Sequence, residues 1–315
     1  MIKKFLNKNK NLFKFSREVL KAFDNKIPLV ALESSIISHG MPYPQSLEMV
    51  KEIEEIIRCE GAQPATLAII DGKIQIGLDP EVLDVFAKTR RVEKVSSSNL
   101  NSTLFSKKVG GTTVAGSLRI CDLASISVFV TGGIGGVHRD VSESMDISAD
   151  LQAIKESKTI TVCAGPKTIL DIPKTYEVLE TLSVPVFSYR QKNLPAFWYR
   201  DSGLRSSYRI ESPAAIAKIY TIARDTARDT NSAYGILLCN PIQKEFSIEQ
   251  TRLEPFISRG VIELKKANIT GKKLTPRLLS YLVHKTNGET LHSNIELVKN
   301  NAILGAKVAK ALSAA

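Results

Sequence analysis

From about residue 28 onward, short runs of β-branched and other apolar residues alternate with amphipathic stretches, the pattern of an α/β layered fold. The apolar runs predict strands over residues 28–32, 66–70, 74–77, 126–131, 159–164, 184–189 and 235–240. Between the first two, Leu47, Val50, Ile53, Ile56 and Ile57 recur at helical spacing with Glu and Lys opposite, which predicts a surface helix packed on the sheet. Further helices are predicted over 113–123, 167–182, 213–228, 275–285 and 293–312. The expected architecture is a three-layer α/β/α fold around a central, mostly buried mixed sheet. No repeat, low-complexity tract or Pro/Gly/Ser linker divides it, so residues 22–315 read as one domain with a helical C-terminal region.

Composition narrows the class. At 315 residues and 43% hydrophobic, the chain can bury a large core. No stretch approaches the roughly 18 uninterrupted apolar residues of a membrane-spanning helix, so no membrane partner is expected. Cys59, Cys121, Cys163 and Cys239 are scattered, without a CxxC pair or metal-ligand spacing to the four histidines. That usage suits a reducing compartment.

The formal charge of +11 invites a nucleic-acid reading, but its distribution argues against one. Residues 1–21 hold six Lys and one Arg against one Glu, a net +6 that leaves +5 for the remaining 294 residues. The excess belongs to an arm, and no nucleic acid is expected as a partner. Phe5, Leu6, Leu12, Phe13, Val19 and Leu20 lie among its cations. Two readings stand side by side: an acid-poor targeting peptide, or a solvated first helix on the body. The expected location is accordingly mitochondrial or cytoplasmic.

Candidate chemistry gathers after predicted strands. The segment 128–139 runs from a strand into Gly132, Gly133, Gly135 and Gly136, followed by His138 and Arg139. Such a loop suits either a phosphate cradle or a tight turn with positive φ angles. Asp146 and Asp150 would share one face if a helix begins there, and aspartate oxygens suit Mg²⁺ or Mn²⁺. Alternatively Ser148 is an N-cap and Asp150 a first-turn acid, which the residues alone favour.

After strand 159–164 comes Gly165-Pro166-Lys167. Proline at the first helical position would place Lys167 in the first turn of a helix, where the dipole disfavours a cation. An uncharged lysine amine is a nucleophile for a sugar carbon, although a lysine at a helix start is more often simply at the surface. Glu33 directly follows the first strand, among hydroxyl residues. It reads equally as a partly buried proton donor or as a cap on the next turn. Ligands of open α/β sheets gather outside the carboxyl ends of strands. Glu33, the glycine loop and Lys167 would therefore share one crevice if their strands are neighbours.

Several segments together resemble the pseudouridine-5′-phosphate glycosidase family, which also includes indigoidine synthase A-like proteins. They are ALESSIISHGMPYPQ, KVSSSNL, GGTTVAGS, VFVTGGIGGVHRDVSESMDISADLQ, TVCAGPKTILDIPKTYEVLETLSVPVFSY, LPAFWYR and LHSNIELVKNNAILGAKVAK. The resemblance covers about residues 20–312. It implies an enzyme that reversibly cleaves the C–C bond between ribose 5-phosphate and uracil in pseudouridine catabolism. It further implies that Lys167 is the nucleophile forming a Schiff base with ribose C1, and Glu33 the proton donor. Substrate contacts fall on Lys94, Val114, Ser148, Ala149, Asp150 and Asn294. Asp146 is matched to a metal-binding aspartate, for one Mn²⁺ per subunit, and the family implies a homotrimer. Ser97, Ser98 and Asn99 replace the charged residues expected after Lys94, and Arg277 stands where an aromatic is usual.

Overall fold

The structure, a computed structural model, describes residues 11–314 apart from 229, 231, 270, 272 and 273. The first ten residues of the basic arm lie outside the described residues. In chain order the elements are β1 (Phe13–Phe15), α1 (Arg17–Asp24), β2 (Leu29–Leu32), α2 (Gln45–Cys59), β3 (Gln63–Ile70), β4 (Lys73–Ile76) and α3 (Pro80–Lys88). Then come β5 (Glu93–Val95), α4 (Leu100–Phe105), β6 (Gly110–Thr112), α5 (Val114–Ala124), β7 (Val128–Val130), α6 (Val141–Ser144), α7 (Ala149–Glu156) and β8 (Ile160–Cys163). The chain continues through α8 (Ile172–Thr181), β9 (Val186–Tyr189), β10 (Tyr208–Ile210), α9 (Pro213–Ala227), β11 (Ile236–Cys239), α10 (Gln250–Lys266), α11 (Leu274–Lys285) and α12 (Glu289–Ser313).

The strands form one mixed sheet in the order β1-β4-β3-β2-β7-β8-β11-β9-β10, with β6 beside β3 and β5 beside β6. Among these described strands, only β3–β4 and β3–β6 are antiparallel pairs. Strands β7, β8 and β11 are buried at every position, the signature of a sheet covered on both faces. From β2 the chain crosses through α2 to β3 on one side, whereas from β7 it crosses through α7 to β8 on the other. Right-handed crossovers running in opposite directions place their helices on opposite faces. Accordingly α2 packs with α9's partner α12, and α7 packs with α5. The expected α/β/α architecture is what the chain forms.

The β2–β7 boundary is thus the point where strand order reverses, the place where such sheets open a ligand crevice. Glu33 follows β2, the glycine loop follows β7 and Lys167 follows β8, and these three strands are parallel neighbours.

One expectation needs correction, and the backbone decides three readings that the sequence left open. The helix expected to contain Lys167 begins only at Ile172, because Asp171 caps it by accepting from Lys174 N and Pro173, not Pro166, occupies its first turn. Asp146 and Asp150 share no helix face, since α7 starts at Ala149 with Ser148 as its cap. The four glycines of the loop have no positive φ. Residues 11–21 supply β1 and most of α1, and the boundary expected between 21 and 22 falls inside that helix.

Candidate active site

Two adjoining cavities open at the strand ends. One, about 260 Å³, is polar: Lys94, Ser96, Ser98, Thr113, His138, Asp146, Ser148 and Asp150 line it, with Val114 and Ala149. The other, about 80 Å³, is walled by Ile36, Met41, Phe197, Leu279 and Val298, with Asn294 among them. Glu33, Ser35, Lys94, Lys167 and Thr275 line both. The structure therefore brings all nine sequence-designated residues to one crevice, with the acid and both lysines at its internal junction.

Glu33 leaves β2 just before a π-helical turn, Ile36–Gly40, a feature frequent at functional sites. Its two carboxylate oxygens accept from different hydroxyls, Thr131 Oγ1 at the end of β7 and Ser35 Oγ. The carboxylate is thereby fixed across the reversal point of the sheet. Thr131 is held in turn by Asn301, a fully buried amide of α12 whose Nδ2 donates to Thr131 O at 2.9 Å.

Lys167 sits in an irregular turn. Its N–H donates to Ile134 O at 3.1 Å, and its carbonyl accepts from Leu170 N at 3.0 Å. Arg139, ion-paired with Glu254, donates to the carbonyls of Thr168 and Ile169 at 2.9 and 3.1 Å. Hydrogen bonds on both sides of Lys167, and no helix dipole, place its side chain at the junction.

The glycine loop is not an open anion cradle. Gly135 N donates to Asp150 Oδ2 at 2.8 Å, Val137 N to Thr175 Oγ1, Ile134 N to Gly165 O and His138 N to Asp146 O. Glycine is required there by crowding. A Cβ on Gly133 would come within 2.5 Å of the Phe197 ring, and one on Gly135 within 2.3 Å of Ser148 Oγ. Asp150 is buried and also accepts from Ala115 N at 3.0 Å, so its carboxylate joins the loop to the start of α5. Ser148 accepts from Asp150 N, the capping arrangement the residues favoured.

Asp146 directs a part-exposed carboxylate into the polar cavity, with His138 Nε2 3.8 Å from Oδ2. No group of three or more His, Cys, Asp or Glu able to hold an ion occurs among the described residues. One carboxylate suits only a hard cation that keeps most of its water shell. Behind the lining residues Lys94, Ser96 and Ser98, Asn99 closes the 94–99 loop by accepting from Ser96 N and donating to Lys94 O. Ser98, in place of a charged residue, adds a hydroxyl to the polar lining.

Sequence reasoning passed over Ser35 and Thr131, which fix Glu33, and also Phe197 and Trp198. Phe197 has φ +58°, costly for a bulky residue, and is held there by Phe197 N donating to Ala164 O at 2.7 Å. Its ring lies against Gly132 and Gly133 and closes the apolar recess. Four aromatic or bulky residues in LPAFWYR were the available signal.

Over residues 18–311 the sequence matches the model of the indigoidine synthase A like protein family. Pseudouridine-5′-phosphate glycosidases of Staphylococcus aureus (strain MW2) and Petrotoga mobilis are each 48% identical to it, covering 95% and 93% of this chain and 96% and 94% of theirs. Among solved structures, the prealnumycin C-glycosynthase AlnA, in complex with ribulose 5-phosphate, superposes with a TM-score of 0.86 at 33% identity, covering 96% of this chain and 97% of its own. With a family match along nearly its whole length and relatives this similar, the chain belongs to the indigoidine synthase A-like family.

Proposed function

We propose that this chain reversibly cleaves the C–C glycosidic bond of pseudouridine 5′-phosphate, giving ribose 5-phosphate and uracil, in pseudouridine catabolism. One observation carries the reading: Lys167 and Glu33 stand where a polar cavity, suited to a sugar phosphate, meets an apolar recess suited to a flat base. The names borne by the relatives agree with it.

Protonating a ring nitrogen, as in ordinary nucleoside hydrolysis, does not loosen a C–C bond, and the paired-carboxylate scheme of O-glycosidases is insufficient. An amine supplies what is missing. Glu33 gives a proton to the ribose ring oxygen as its bond to C1 breaks, and Lys167 Nζ bonds to C1. The nitrogen lone pair then forms the C1–N double bond while the C1–C5 electrons pass to uracil, whose C5 takes up a proton. Water adds to the iminium, returns the amine and releases ribose 5-phosphate, so the net reactant beyond the nucleotide is one water. Lys94, Ser148 and the backbone at Val114 and Ala149 hold the sugar phosphate, and Asp150 maintains the loop they contact.

Asp146 would hold one largely hydrated Mn²⁺, which supplies positive charge beside the phosphosugar when bound. A homotrimer is the assembly proposed. For location, cytoplasmic is proposed over mitochondrial, because cleavage of a leader at residue 21 would remove a strand and the buried Val19. Among the described residues no helix is long and apolar enough to cross a membrane.

A second reading, favoured by the C-glycosynthase neighbour, keeps the lysine chemistry but exchanges uracil for another carbon-linked group. Uracil release assayed on pseudouridine 5′-phosphate and on uridine 5′-phosphate decides. Release from the first alone is expected. Release from neither overturns the proposal in favour of the second reading.

A further inference from the structure

The apolar recess carries one amide whose orientation is chemically determined. Trp198 is fully buried beneath Phe197, with ring centroids 5.0 Å apart, and its carbonyl accepts from Ile248 N at 2.9 Å. Its indole nitrogen stands 3.0 Å from the side-chain amide of Asn294 on α12. An indole N–H only donates, so the amide atom facing it must be the oxygen, Oδ1. Asn294 Nδ2 then points away from Trp198. It has no protein partner among the described residues, and the side chain lines the recess. The free group of the amide is therefore its donor end, Nδ2, while one lone pair of Oδ1 is already taken by the indole. Ile36, Met41, Phe197, Leu279 and Val298 supply the carbon walls of the recess, and Glu33, Ser35, Lys94, Lys167 and Thr275 lie where it meets the polar cavity, so a ligand group set against the amide with the wrong polarity loses that hydrogen bond.

We infer that Trp198 is a positioning residue for base selectivity: it locks Asn294 as a donor, so the site takes a base with a ring carbonyl there and rejects an amino group in its place. The inference rests on the proposal that the base leaves through this recess. An unlocked amide would turn over and offer its oxygen to an amino group. Discrimination would then be lost even though Asn294 itself is unchanged. The oxygen needs no charge or metal to be held, only the indole donor.

The test compares base release from pseudouridine 5′-phosphate with release from its two analogues that carry an amino group in place of one or the other ring carbonyl. In the unaltered protein, kcat/KM for one analogue should fall by about 10²-fold or more, since a site built to bond one polar group leaves its own group unpaired with the wrong one. Asn294→Asp, which offers an acceptor in the same shape, should move that ratio toward the amino compound by at least about tenfold. Trp198→Phe keeps an aromatic ring but lacks the donor, and should narrow the ratio by about tenfold, chiefly by raising KM for the carbonyl substrate. Replacement of Trp198 by 3-benzothienylalanine keeps the bicyclic shape without the N–H, and should do the same if the phenylalanine variant folds poorly. Equal loss on both substrates with an unchanged ratio in both Trp198 variants would make the residue merely structural and overturn the inference. An unchanged ratio in Asn294→Asp would show that the base does not meet this amide. Failure of the unaltered protein to release any base overturns the functional proposal and this inference together.

Discussion

An amine attacks a sugar carbon only with a free lone pair, and Lys167 and Lys94 both line the two cavities. Borohydride reduction in the presence of ribose 5-phosphate should attach the sugar to Lys167, as read by peptide mass mapping. Lys167→Arg should abolish both trapping and turnover, whereas Lys94→Arg should still allow some trapping. An adduct on Lys94 would reverse the assignment. Asp146→Ala should remove Mn²⁺ dependence while leaving the fold intact. Unchanged Mn²⁺ affinity in a metal titration would place the ion elsewhere. His39, on the rim of the recess, is pushed below the usual imidazole range by burial first and then by the charge of Lys94; Val92 O and Glu93 oppose this. Its Nδ1 faces Ser38 Oγ at 2.7 Å and its Nε2 faces Val92 O at 3.1 Å, a neutral ring with both nitrogens partnered. A base with a depressed folded value takes up its proton first in the unfolded chain. Stability is therefore full above about pH 6.5 and is lost as pH falls from there toward the folded value. Urea midpoints measured down that range should show a slope that His39→Gln flattens.

Elements meet through shared atoms in this site, which makes their contributions interdependent. Asp150 on α7 accepts from Ala115 N of α5 and Gly135 N of the loop after β7. Asp150→Ala leaves two amides without that acceptor, at about 1–3 kcal/mol each where no water replaces it. Gly135→Ala drives a Cβ to 2.8 Å from Asp150 Oδ2 and displaces the same carboxylate. Both variants should lower the urea midpoint, and the double variant should cost less than the two separate losses combined, because each breaks one shared contact. Full additivity would show that the junction is not a unit. What the sequence made legible here follows from the range of the interaction that forms each element. Seven strands were readable because their apolar runs are long enough to show. By contrast β1 (FKF), β5 (EKV), β6 (GGT) and β10 (YRI) have three residues each and exist through pairing with distant neighbours. The residues of the site were visible as motifs after strand ends. The start of α8 was misread because either Pro166 or Pro173 satisfies the helix-start rule, and only the Asp171 side chain bonding to Lys174 N decides. The spent amides of Gly135 and Val137 were invisible, since their partners lie 15 and 38 residues away.

At the scale of the whole molecule, the strand of residues 13–15 and the active site lie at different places on the same sheet. β1 is the edge strand beyond β4 and β3, three strands from β2 and the reversal point where Glu33 stands. Phe13 pairs with Ile74, Ser16 N donates to Ile76 O at 3.1 Å, and Ser16 Oγ caps the helix that buries Val19 completely. Deleting residues 1–21 therefore removes, among the described residues, the buried apolar side chains of Phe13 and Val19, worth about 1.5–3 kcal/mol each. It also bares the backbone edge of β4. That loss is a large share of the ~5–15 kcal/mol by which a domain is stable, so the truncated protein should melt several degrees lower and aggregate more readily at its new edge. None of the described residues 11–21 lines either cavity, so kcat measured well below the melting transition should stay within about twofold of the full chain. Melting temperature and low-temperature turnover of the two proteins check both halves. An unchanged melting temperature would mean that β1 contributes nothing to the sheet, and a folded but inactive truncation would mean that the edge and the crevice are coupled through β4 and β3.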